Sequence, residues 1–170
     1  MLSAVEEIFT NGTLLLLGRD NAKRVFAARD ATLLQQELNE IAAAEGTVTV
    51  DCQGNWGMLH RLLGDGSLDP QGGELPLNHC VLGGRPMDAG DSMTVRLARP
   101  DIVTHIATAL AELDAAKVHS RFEAAAAAAD EPNDEAAQQQ LSALLEQVKK
   151  LYDTAARERA AVVFCVHQEA

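Results

Sequence analysis

The side chains with the greatest chemical potential lie in one short segment that contains Trp56 and His60. On a helix these residues share one face with Leu59 and Leu63. A ring beside an imidazole is typical of a ligand platform on which the histidine transfers a proton or forms a hydrogen bond. A catalytic histidine also needs an orienting carboxylate, and Asp51 is the only one linked to it in sequence. We therefore favour a core tryptophan and a buried histidine, and keep His60 as the candidate catalytic residue.

A second candidate segment, Gly83-Gly84-Arg85-Pro86, follows an apolar run. Glycines beside an arginine occur where backbone N–H groups cradle a phosphate and the guanidinium supplies charge. The segment matches neither GxGxxG nor GxxxxGK[ST], and Pro86 prevents a helix from starting as those motifs require. A turn with positive φ angles at the glycines is the simpler interpretation. The candidate binding residues are Trp56, His60, Gly83, Gly84, Arg85 and Arg96.

The histidines and cysteines have none of the spacings that are typical of metal sites. The five histidines form no HxH or HExxH motif, and the three cysteines form no CxxC pair. Each cysteine lies in an apolar context, which predicts buried, reduced thiols of the kind found in cytosolic proteins. We therefore expect neither a metal site nor a cofactor.

The charge balance restricts the classes of partner. The chain has 170 residues, with 25 acidic and 14 basic side chains and a formal net charge of -11. A negatively charged surface repels a phosphate backbone, so we expect no direct binding to nucleic acid. It favours solubility and would attract a basic protein partner.

The apolar runs are too short to span a membrane. Leu14–Leu17 is the longest uninterrupted run of branched aliphatic residues, whereas a bilayer needs about 20 apolar residues. The first nine residues include Glu6 and Glu7 and lack the basic region of a signal peptide. The sequence therefore predicts a cytoplasmic protein without membrane contact.

Hydrophobic periodicity predicts an irregular succession of helices and strands. A heptad-like apolar stripe predicts the longest helix, near the C-terminus, and a Val-rich strand follows it. The alanine run 124–129 has high helix propensity but no apolar face, so we expect it to form a weakly specified surface. Residues 21–28 fit no single element. The predicted helices cover residues 3–10, 31–44, 55–63, 101–113, 114–130 and 134–159, and the predicted strands cover residues 13–17, 47–52, 93–97 and 161–167.

Because strands and helices do not alternate and the helices cluster late, these elements predict an α+β fold. Its length suits a single domain over residues 1–170. We expect a small mixed or antiparallel sheet packed with several helices, and a long C-terminal helix followed by a closing strand.

Three segments resemble the YfbM-like family, a bacterial domain of unknown function. The stretch from Asp51 through Trp56 and His60 to Leu63 is similar to its D-x-x-x-x-W-x-x-L-H-x-L-L signature. Residues 77–87 resemble its L-G-G-x-P segment, and residues 96–101 resemble its strand-to-helix junction. The resemblance covers residues 47–167 and departs at Gly57, where members often carry a second histidine. It implies an α+β fold and no established activity.

Two functional hypotheses follow from the residues. The first is a binding module, for instance an immunity- or antitoxin-like protein, that recognises a basic protein on a surface where the Trp56 helix meets the Gly83–Pro86 turn. The second is an enzyme or small-molecule binder in which His60 is the acid or base, Trp56 is a stacking surface, and Arg85 or Arg96 holds an anionic group.

Overall fold

Five antiparallel strands form one sheet in the computed structural model, which describes residues 8–167. The spatial order is β2-β1-β5-β4-β3, so the first and last strands are neighbours at the centre. Of the helix expected over residues 3–10, residues 3–7 lie outside the described residues, and the described residues 8–10 are helical at Ile8 and form a turn at residues 9 and 10. The strands are β1 (Thr13–Leu17), β2 (Thr49–Asp51), β3 (Arg85–Asp88), β4 (Met93–Ala98) and β5 (Ala161–His167).

Six α-helices in the described residues cover both faces of this sheet. A further 3-10 turn, Leu77–His79, lies in the long connection before β3. The helices are α1 (Arg19–Ala27), α2 (Ala31–Ala43), α3 (Trp56–Leu63), α4 (Pro100–Ala111), α5 (Ala115–Ala129) and α6 (Glu135–Glu158).

The two central strands are apolar on both faces because helices cover both. All five residues of β1 are buried: Leu14 and Leu16 pack in the cluster that contains α3 to α6, and Leu15 and Leu17 in the cluster that contains α1 and α2. A strand buried on both sides shows a continuous apolar run rather than alternation. This arrangement confirms the α+β fold, the antiparallel sheet, and the long C-terminal helix followed by a closing strand.

Side-chain caps determine where three of the helices begin. Asp30, Asp114 and Asp134 each accept a hydrogen bond, at 2.8 Å, from the backbone N–H three residues later. Such a cap satisfies one of the N–H groups that the first helical turn leaves unpaired. α4 begins instead with Pro100 at its first position, where the missing N–H costs nothing.

The structure corrects three local expectations. Residues 21–27 are helical within α1 and Ala28 follows its end in an extended conformation, although Val25 is the only buried residue of this helix. The alanine run does bury a face, since Ala125 and Ala126 belong to the core next to α3; their small side chains let the two helices approach. Arg85 begins the edge strand β3 instead of completing a turn, because its segment pairs with β4.

The turn with positive φ angles that we expected at Gly83 and Gly84 does not explain why these two positions are glycine. Neither has a positive φ. A Cβ on Gly84 would lie 2.6 Å from the Leu97 carbonyl oxygen, and a Cβ on Gly83 would overlap the Asn78 carbonyl oxygen. The close approach of two backbones therefore requires glycine at both positions.

Candidate functional site

Trp56 lies at the start of α3 and packs against the sheet rather than against His60. Its ring centroid is 5.6 Å from that of Phe164 on β5, with the planes tilted by 46°. A Cβ on Gly12 would lie 2.6 Å from Trp56 Cδ1, so the indole also contacts the chain just before β1. The half-buried indole thereby packs α3 against β5 and against the residues that precede β1.

His60 is buried and holds a loop. Its exposed fraction is 1%, and its Nε2 is 2.8 Å from the Asp69 carbonyl oxygen. Because a carbonyl oxygen only accepts hydrogen bonds, Nε2 carries the proton and donates it. Nδ1 is buried and has no partner among the described residues. The imidazole therefore links α3 to the connection that follows it. The buried Asn78 amide donates a second hydrogen bond to this connection, at 3.5 Å to the Gln71 carbonyl oxygen.

Burial keeps this histidine neutral. Desolvation lowers the pKa of His60 below its ordinary value of 6.5, although the hydrogen bond to Asp69 acts in the opposite direction. As the pH falls below 6.5, the unfolded chain binds a proton at this position before the folded protein does. Stability contributed by the neutral imidazole is therefore lost as the pH falls through this window.

We predict that H60Q reduces the acid sensitivity of the fold, because glutamine keeps an N–H donor without an imidazole to protonate. Wild type is expected to lose more thermal stability than H60Q when the pH is lowered from about 7.5 to about 5.5. H119Q removes an exposed imidazole and serves as the control. Equal losses in wild type and H60Q would show that His60 does not contribute to the acid sensitivity.

Two polar groups next to the sheet, the half-buried Arg96 and the buried Tyr152, also make structural contacts. Arg96 Nε donates to the Leu82 carbonyl oxygen at 3.1 Å, and the Tyr152 hydroxyl donates to the Cys80 carbonyl oxygen at 2.6 Å. Both bonds tie the segment before β3 to the core. All three cysteines are buried and free, and burial raises the pKa of the Cys52 thiol to about 12. They have the character of core residues rather than of reactive thiols.

Three of the expected binding residues do come together in a groove next to β3. This Gly84 groove, of about 390 Å³, is bounded by Gly83, Gly84 and Arg85 and also by His79 and Arg99. Neither Trp56, His60 nor Arg96 lines it. The predicted binding residues therefore do not form one surface. Trp56 packs against Phe164, His60 bonds to the Asp69 carbonyl oxygen, and Arg96 bonds to the Leu82 carbonyl oxygen. The other three predicted residues line the Gly84 groove.

A second groove was not anticipated from the sequence. This Leu75 groove, of about 610 Å³, lies between the connection that follows α3 and the facing ends of α4 and α5. Leu75, 66% exposed, lies among the carboxylates of Asp65, Glu74 and Glu112. The only sequence signal was the Gly/Pro/Asp/Ser composition of residues 67–74, which indicated a surface loop and nothing more.

The cations of the Leu75 groove are engaged with the backbone. Lys117 Nζ donates to the Glu112 carbonyl oxygen at 3.4 Å, and Arg121 donates to the Leu62 carbonyl oxygen at 3.1 Å. The carboxylates of Glu74 and Glu112 form no ion pair or hydrogen bond with the described residues. Both cations keep their charge in these bonds, so the groove holds three carboxylates against two cations. Glu74 and Glu112 are the unpaired carboxylates beside the exposed leucine.

Residues 8–167 contain no group of three or more His, Cys, Asp or Glu side chains that could hold a metal ion. Within those residues no helix combines the length and apolar character needed to cross a membrane.

The fold and its grooves define a class of protein: an α+β domain with helices on both faces of a five-stranded antiparallel sheet. The chain belongs to the family described as a domain of unknown function (DUF1877), whose sequence profile matches residues 10–165. The family match thus includes β1, α1 and α2, which lie before the residues 47–167 covered by the motif resemblance.

A solved structure gives the same picture of the fold. The chain is similar to YfbM from Escherichia coli, described as a protein of unknown function, with 16% sequence identity and a TM-score of 0.66. The alignment covers 91% of this chain and 98% of that one. The comparison with curated proteins found no match. The expected YfbM-like membership is confirmed.

Proposed function

We propose that this protein is a binding module whose partner is a basic protein, and that the partner docks at the Leu75 groove. The observation that carries the proposal is the exposed Leu75 side chain beside the unpaired carboxylates of Glu74 and Glu112. An exposed leucine offers apolar area that is worth about 25 cal/mol per Å² when a partner covers it. The carboxylates select a partner segment in which Lys or Arg flanks an apolar side chain.

The overall charge supports the same class of partner. With a formal net charge of -11, the protein attracts a basic partner over long range and accelerates its association at low salt. The same field opposes binding to nucleic acid and to an anionic membrane surface. The three buried free thiols suit a reducing compartment, so we assign the module to the cytoplasm.

The geometry favours binding over the alternative in which His60 is an acid or base. The imidazole is buried and committed to the Asp69 carbonyl oxygen, so a substrate has no path to Nε2. Trp56 contacts Phe164 and lines neither the Gly84 groove nor the Leu75 groove. The predicted stacking platform is therefore part of the core.

Charge reversal at the groove tests the proposal. We expect the tagged wild-type protein to retain a basic protein from a lysate of its own host, and the double variant E74K/E112K to lose it. L75S should weaken retention by about tenfold or more, because a central apolar anchor contributes about 1.4 kcal/mol or more. The amount of the retained protein is measured by quantitative mass spectrometry.

Two matched variants separate docking from general charge attraction. E45K/D91K makes the same change in net charge at exposed carboxylates outside the groove, and V48S removes another exposed apolar side chain. Both should retain the partner as wild type does. Equal losses in the groove and control variants, or retention of acidic proteins only, would refute the proposal.

A further inference from the structure

The Gly84 groove brings two arginines and a histidine together in an acidic protein. His79, Arg85 and Arg99 all line it, and no Asp or Glu is found among the described residues that do so. Arg85 is exposed and forms no ion pair with the described residues. The Arg99 guanidinium is also exposed and is 3.0 Å from an Asp101 carboxylate oxygen. Asp101 thus offsets the charge of Arg99, and Arg85 supplies an unpaired positive charge in the groove.

Hydrogen-bond donors accompany this charge. The half-buried His79 imidazole forms no hydrogen bond with the described residues, so its ring N–H is free for a ligand. Desolvation lowers the pKa of His79, which makes it a neutral donor near neutral pH. Arg85 presents a planar guanidinium, whose paired N–H groups match two oxygens of a carboxylate or a phosphate.

The remaining walls of the groove are mostly apolar. Pro86 of β3 and Ile102 of α4 line it beside the glycines, together with the polar Gln71. The Leu97 side chain is 1% exposed and packs in the cluster of α1 and α2, so its backbone borders the groove. Its volume of about 390 Å³ falls within the ~300–1,000 Å³ that is typical of small-molecule sites. An inorganic anion would fill only a small part of this space. The size and the mixed lining fit a ligand with one anionic end and one apolar end.

We propose that the Gly84 groove binds a small organic oxyanion, with a phosphate or carboxylate head on Arg85 and His79 and an apolar body against Pro86 and Ile102. The groove is distinct from the Leu75 groove, and this inference does not depend on the basic partner.

A titration followed by NMR tests the inference with four probes: phenyl phosphate, benzoate, inorganic phosphate and benzyl alcohol. We expect saturable shifts at the Gly83, Gly84 and Ile102 amides with phenyl phosphate or benzoate, and the tighter of the two identifies the head group. Inorganic phosphate should bind about tenfold more weakly because it lacks the apolar body. Benzyl alcohol should not saturate the same amides.

Substitutions at two exposed arginines provide the control. R85Q should weaken binding of the preferred probe by about tenfold or more, the loss expected for one charge-assisted contact. R19Q removes the same charge from an exposed position outside the groove and should leave binding unchanged. E74K/E112K should also leave it unchanged, so failure here is distinguishable from failure of the basic-partner proposal.

Three results would overturn the inference. The first is a set of non-saturating or scattered shifts with both organic anions. The second is equal weakening in R85Q and R19Q, which would show attraction by net charge alone. The third is benzyl alcohol binding as tightly as the anions, which would show that the groove does not recognise the head group.

Discussion

Alanine at Gly84 is expected to destabilise the protein by at least ~3 kcal/mol, the upper end of the range for overpacked sites. The added Cβ would lie 2.6 Å from the Leu97 carbonyl oxygen and 3.0 Å from its carbonyl carbon. Both are backbone atoms of β4, so the clash cannot be relieved by rotating a side chain. Relief requires β3 to separate from β4, which breaks the pairing that begins between Arg85 and Leu97.

Gly57 provides the matched control for this substitution. It lies inside α3, and its added Cβ would meet only the Leu68 Cδ2 atom at an ordinary 3.5 Å. G57A should therefore be neutral or stabilising by up to about 1 kcal/mol, because alanine has the higher helix propensity. Urea unfolding followed by circular dichroism measures both free energies of unfolding. A G84A variant as stable as G57A would contradict the described packing of β3.

Alanine at Phe164 is expected to cost about 3–5 kcal/mol of stability, the usual range for a buried phenylalanine. Phe164 is 1% exposed and lies in the central strand, with Leu14 and Arg96 opposite it on the neighbouring strands. Its removal leaves a cavity directly beneath the Trp56 ring. Since Trp56 is the only tryptophan of the chain, its fluorescence reports on this site without ambiguity.

F26A is the matched control, because it removes the same type of side chain from an exposed position. Phe26 is 49% exposed on α1, so F26A should change stability by no more than about 0.5 kcal/mol and leave tryptophan emission unchanged. F164A should lower the urea midpoint and shift the emission of the folded protein to longer wavelength. Similar stability and emission in the two variants would show that Trp56 and Phe164 do not form the described contact.

The parts of the fold that could be predicted are those whose own residues carry the pattern. The apolar stripe of α6 and the continuous Val-rich run of β5 indicate their burial directly. β3 could not be recognised because its four residues form a strand only through pairing with β4. The burial of Ala125 was missed because an alanine becomes a core residue only when another helix, here α3, approaches it closely.

The site was less predictable because its contacts are made to the backbone. His60 is held by the Asp69 carbonyl oxygen, an atom that every residue type has and that no sequence motif marks. Helical spacing placed Trp56 and His60 on one face, but it did not reveal that Phe164, more than 100 positions later, contacts the indole. The Leu75 groove depends likewise on segments that only the fold brings together.

One helix connects the two candidate surfaces. Ile102 near the start of α4 lines the Gly84 groove, and Glu112 just after its end lines the Leu75 groove. An apolar hollow between them is lined by Ile102, Leu75 and Glu112. α4 therefore has the Gly84 groove near its first turn and the Leu75 groove near its last.

Amide hydrogen exchange on the complex with the retained basic protein tests the central claim most directly, because it locates the interface without a substitution. Binding at the Leu75 groove predicts slower exchange in residues 64–77 and 109–121, with the helices α1 and α2 on the opposite face of the sheet unchanged. Protection confined to α1 and α2, or spread evenly over the surface, would contradict docking at the Leu75 groove.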